Sequence, residues 1–70
     1  MIDPGDIQEE LDKKPFVPFD ICMSDGSRHT VTAPEFLALM ERTAYLALPK
    51  KGWKSFSYEG IIYLEGVGDD

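Results

Sequence analysis

Seventy residues and 7.9 kDa make one domain at most, and a chain this short buries only about 60% of the surface that its unfolded form exposes. Its 43% hydrophobic and 29% charged residues are ordinary for a folded protein and argue against disorder throughout. Thirteen acids against seven bases leave a formal charge of -6 and a pI near 4.5, which argues against a general-purpose binder of nucleic acid or of anionic membrane.

The first element is a short helix over residues 3–14 with its start written out. Asp3 is a good N-cap, Pro4 suits the first helical position, Asp6 lies where the helix dipole favours a negative charge, and Ile2 and Ile7 are spaced as a hydrophobic staple. Ile7 and Leu11 share one face, and Lys14, preceding Pro15, is pushed out of helical geometry. Five acids between Asp3 and Asp12 with no base among them would not hold a helix in water alone, so this one must dock.

From Pro15 the period changes to two. Phe19, Ile21 and Met23 alternate with Asp20, Cys22 and Ser24, then Ser24-Asp25-Gly26 makes a turn and Arg28 to Ala33 alternates again, as a hairpin does. A three-residue loop with Gly26 in the left-handed conformation sets Phe19, Ile21 and Met23 on the face of Val31 and His29. A two-residue turn would mix them with Arg28, Thr30 and Thr32, so the first register is expected.

The stretch from Thr32 to Leu48 supports two readings. Thr32-Ala33-Pro34-Glu35 has the form of a capping box before a segment rich in Ala, Leu, Met and Glu, which favours one helix. The alternative is two strands, Phe36 to Met40 and Thr43 to Leu48, folded about Glu41-Arg42. Pro49-Lys50-Lys51-Gly52-Trp53-Lys54 then reads as a loop, Ser55 to Tyr58 as a strand, and Gly60 to Val67 as a last strand whose Ile61-Ile62-Tyr63-Leu64 is apolar on both faces. Residues 68–70 read as a frayed tail.

Two resemblances bear on the fold. Lys14-Pro15-Phe16-Val17-Pro18-Phe19-Asp20-Ile21, Ser24-Asp25-Gly26, Val31 and Ala33-Pro34-Glu35-Phe36 resemble a group of small uncharacterised bacterial proteins with a Pro-Phe-x-Pro-Phe-x-Ile, Asp-Gly, Pro-Glu-Phe pattern, covering the middle third of the chain well. In that group the part matching Arg42 to Pro49 looks like a strand, which implies two strands here. The order of elements is also similar in layout to Sm-like and other SH3-like small barrels. The Asp-Asn or Lys-His pairs of Sm-like RNA binders have no counterpart in Phe36 to Arg42 or Gly60 to Gly66, so RNA binding does not carry over. The expected fold is thus mainly β: a small SH3-like or Sm-like barrel of about five strands over residues 16–67, preceded by the helix, in a single domain.

Candidate chemistry is sparse. Cys22 and His29 are the only thiol and imidazole, and the expected register puts them on opposite faces of the hairpin, against a nucleophile pair. One Cys, one His and scattered acids show no metal-ligand spacing, and the six glycines build no phosphate loop. Glu59, Glu65 and Asp20 read as solvated charge, so no enzyme, cofactor or metal is expected. A lone cysteine that cannot pair internally and a start without a basic region or apolar stretch point to the cytoplasm, with no membrane partner.

Charge segregation is more informative. Arg42 to Lys54 carries four bases and no acid, with Tyr45 and Trp53 among them. Lys50, Lys51, Trp53 and Lys54 could grip an anion such as single-stranded RNA, with Trp53 as a stacking face; the plainer expectation is a soluble loop whose Trp53 folds back over one mouth of the barrel. Ile61, Ile62, Tyr63 and Leu64 would be an aggregation hazard as an open edge and call for a cover, either the helix or a neighbouring copy. The expected function is a non-catalytic protein-interaction module, self-associating through edge strands. The alternatives are an Sm-like nucleic-acid binder and a small inhibitor or antitoxin-like partner of another protein.

Overall fold

The computed structural model describes residues 2–66, so the expected tail over residues 68–70 lies outside the described residues. The helix, α1, spans Pro4–Leu11, and Asp3 caps it as expected: the Asp6 amide donates to Asp3 Oδ1 at 3.1 Å and the Asp3 amide to Asp6 Oδ2 at 2.9 Å. The helix stops at Leu11, short of Lys14. Its last turn carries Glu9, Glu10 and the cap Asp12 and no base, so its acids oppose the dipole there, while the residue before Pro15 cannot stay helical. Ile7, fully buried, docks α1, with Ile2 and Leu11 packed at the edge of the same core.

Six strands follow: β1 (Phe19–Met23), β2 (Arg28–Val31), β3 (Leu37–Leu39), β4 (Thr43–Leu48), β5 (Gly52–Ser57) and β6 (Ile61–Gly66). They form two antiparallel three-stranded sheets, in the orders β2-β1-β6 and β3-β4-β5. The mainly β class holds, but the expected closed barrel of about five strands does not. Two short 3-10 turns break the ladder where closure would need it: Pro34–Phe36 between β2 and β3, and Tyr58–Gly60 between β5 and β6.

The first of those turns also resolves the ambiguous middle segment in favour of two strands. The Thr32 to Glu35 capping box is not made: Ala33 precedes the turn with no side-chain cap, and Pro34 leads into a single turn before Leu37 is extended. Local helix propensity yields because Leu37 and Leu39 can pair with Leu46 and Ala44 and face the core from a strand. The β1–β2 register is the expected one, with Phe19 opposite Val31 and Ile21 opposite His29. Gly26 takes φ 90°, and its amide donates to the Met23 carbonyl at 3.0 Å.

The core lies between the sheets. Phe19, Ile21, Val31 and Ile61 from the first sheet meet Leu37, Ala44, Leu46 and Phe56 from the second, with Ile7 from α1 and Tyr58 from the second 3-10 turn at the margins. The Tyr58 hydroxyl donates to the Met40 carbonyl at 2.6 Å, tying that turn to the β3–β4 connection, and burial pushes its pKa above the ordinary value. His29 is also inside, its ring stacked on that of Phe56 with centroids 4.6 Å apart and planes 8° from parallel.

Candidate interaction surfaces

The basic segment divides between two faces. Lys50 and Lys51 form the β4–β5 turn, where Lys50 takes φ 67° and Gly52 φ 93° so that the chain reverses tightly. Trp53 and Lys54 belong to β5 rather than to a loop, because Gly52 already pairs with Leu48. As neighbours in a strand they point to opposite faces. Lys54 lies on the core side, half-buried beside Leu46, whereas Trp53 is 65% exposed on the outer face. The anion-gripping set of Lys50, Lys51, Trp53 and Lys54 is therefore not assembled as one site, and Trp53 does not fold back over the core.

What the sequence reading missed is the company Trp53 keeps. Its ring meets that of Tyr45 with centroids 5.4 Å apart. By alternation and register the outer face of the second sheet carries Ala38, Tyr45, Ala47, Trp53, Ser55 and Ser57, all exposed, with Met40 (56% exposed) and Thr43 at one end. Among the described residues no charged side chain stands on this face. The signal was present in the alternation of β4, but it needed the β4–β5 register to align Tyr45 with Trp53.

The outer face of the first sheet is built differently. Arg28 donates through Nη1 to Asp20 Oδ2 at 2.9 Å and Glu65 Oε1 at 2.7 Å, one partner on each neighbouring strand, and the Thr30 hydroxyl donates to Asp20. These bonds raise the pKa of Arg28 above its ordinary value. Cys22 is buried on this face between Arg28 and Tyr63, and hydrogen bonding with its thiol pushes the Tyr63 hydroxyl up. His29 points the other way, into the core, so the sheet lies between the thiol and the imidazole.

The expected self-association segment separates into parts with different roles. Ile61 is buried in the core and Leu64 packs at its edge, while Ile62 and Tyr63 are 56% and 45% exposed. An extra residue on β6, at Ile62, makes a bulge opposite Cys22 and Met23, and from Tyr63 onward the pairing with β1 is regular. β6 is an outer strand of its sheet, and among the described residues no strand pairs with its far side.

Surface clefts among the described residues include two that bear on the candidate residues. The larger, about 610 Å³, is lined by Glu41, Arg42, Thr43, Ser57, Tyr58 and Glu59; the smaller, about 240 Å³, lies between α1 and the end of β6, with Glu10, Lys13 and Leu64 among its walls. Glu59 and Glu65 belong to different places, one on the larger cleft and one held by Arg28, so they form no carboxylate couple. Among the described residues no group of three or more His, Cys, Asp or Glu is placed to hold a metal ion, and no helix is long and apolar enough to cross a membrane. Comparison with family models, curated proteins and solved structures finds no match to this chain.

Proposed function

We propose that this protein is a non-catalytic interaction module whose copies join edge to edge along β6. The observation that supports this is the free side of β6, a six-residue outer strand that ends its sheet with Ile62 and Tyr63 exposed. An unpaired strand edge is a template for another strand, and natural sheets blunt such edges with charge, proline or cover. Here a bulge at Ile62 twists the first part away, and the regular stretch from Tyr63 to Gly66 is left to pair. Two copies of β6 running antiparallel would make one six-stranded sheet, with the Arg28 networks of both chains on the same side. A reducing compartment suits the buried, unpaired Cys22.

Native mass spectrometry of wild type and Ile62→Glu tests the reading. A charge beside the edge should convert an assembly joined at β6 to a smaller species while leaving the circular dichroism of the folded chain unchanged, because Ile62 lies outside the core. A folded Ile62→Glu protein with the same stoichiometry as wild type would overturn it.

A further inference from the structure

The outer face of the second sheet is a separate surface and calls for its own account. On a chain with 29% charged residues it presents none, while three of the large apolar side chains most exposed in the molecule, Met40, Tyr45 and Trp53, stand on it together. The side chains around them, Ala38, Ala47, Ser55 and Ser57, are small. An uncharged sheet face with exposed aromatics suits burial against another sheet face, as in sandwiches, where inner faces interdigitate.

Charge at the two ends of the face selects the occupant. At the β4–β5 turn stand Lys50 and Lys51, with Glu35 preceding β3 at that same end. At the opposite end Glu41 and Glu59 flank Arg42 around the larger cleft. One end is thus net positive and the other net negative, on the same chain. A two-fold axis parallel to the sheet and across its strands lays each strand over its own copy and exchanges the ends. It brings Lys50 and Lys51 towards Glu59 of the partner subunit, and Arg42 towards Glu35 of the partner subunit. The same operation sets Trp53, near the start of β5, over the region of Ser57 at its far end, so a large ring meets a small side chain. Self-complementarity of this kind is what an isologous dimer requires.

We propose that the outer face of β3, β4 and β5 is a homodimer interface in which a second copy packs face to face, with Tyr45 near its centre, Trp53 towards its Lys50 end and the oppositely charged ends setting its direction. The interface shares with the preceding reading only that copies associate, and it uses the other sheet. If both operate, the two contacts join more than two chains.

Trp53 is the sole tryptophan, so its fluorescence reports this face alone. Emission should move to shorter wavelength as protein concentration rises, following the same midpoint as the mass change seen by sedimentation, and Tyr45→Lys should abolish the shift without unfolding the chain. Lys50→Glu with Lys51→Glu should raise the dissociation constant about tenfold, and adding Glu59→Lys should restore most of it. Native mass spectrometry separates the two interfaces: Ile62→Glu should retain a dimer that carries the fluorescence shift, and Trp53→Lys should abolish that dimer. Emission independent of concentration, or an Ile62→Glu dimer unaffected by Trp53→Lys, would overturn the proposal. So would a face occupied instead by single-stranded RNA, seen as saturable, salt-weakened binding that Trp53→Ala removes from a monomeric protein.

Discussion

The two sheets share one core but treat solvent in opposite ways. Outside the first, Arg28 bridges Asp20 and Glu65 across three strands and Thr30 completes the network, so its central strand is covered by paired charge. Outside the second, the same positions of the pleat carry Ala, Ser, Tyr and Trp. The contrast teaches that net charge describes this chain poorly. A formal charge of -6 coexists with a whole sheet face that has none, because the acids are concentrated on α1, the first sheet and the turns.

The comparison can be broken most severely from the layer the sheets share. Phe19 is 1% exposed and sits between them, so Phe19→Ala should cost about 3–5 kcal/mol, seen as a large drop in the urea midpoint and loss of both sheets in one transition. Two separate transitions would show that the sheets are independent units.

A finer test uses the contact between His29 on the first sheet and Phe56 on the second. Burial lowers the pKa of His29 from 6.5, nearby Lys54 lowers it further, and Asp25 opposes them. Its Nδ1 has no hydrogen-bond partner among the described residues, so the fold favours the neutral ring. The unfolded chain then binds the proton more readily. Stability should therefore fall as pH drops below 6.5 and level off for this group only below its folded-state pKa. Urea midpoints across that interval should decline more steeply for wild type than for His29→Gln, the difference removing what the carboxylates contribute; parallel curves would remove the histidine from the account.

The smallest effect belongs to the charged face. Arg28 is half-exposed, so Arg28→Met should lower the melting temperature slightly in dilute buffer and hardly at all in high salt. A large loss that persists in salt would mean that the largely buried Asp20 carboxylate depends on the guanidinium as its partner.

Legibility followed the range of the interactions. The Asp3–Asp6 capping box and the Gly26 turn were readable because each closes within a few residues, and the turn length then set the pairing of Phe19 with Val31. The helical look of Thr32 to Leu48 was misleading in composition, since its Leu and Ala side chains serve a strand equally well once Leu46 has Leu37 beside it. The candidate basic set is divided by parity. Trp53 and Lys54 seemed joined because they are adjacent, and adjacency in a strand is what separates them.

By itself the sequence determined the capped helix, the hairpin register, the strand-rich class and the segregation of charge, all set by local geometry and by the period of apolar residues. Tertiary structure alone decided that six strands form two sheets instead of a closed barrel, and that among the described residues no strand pairs with the far side of β6. It alone placed Tyr45 against Trp53 on an uncharged face. The first two outcomes depend on the ladder stopping at the 3-10 turns at Pro34–Phe36 and Tyr58–Gly60, where the packing of distant side chains between the sheets replaces strand pairing, and the third on the β4–β5 register.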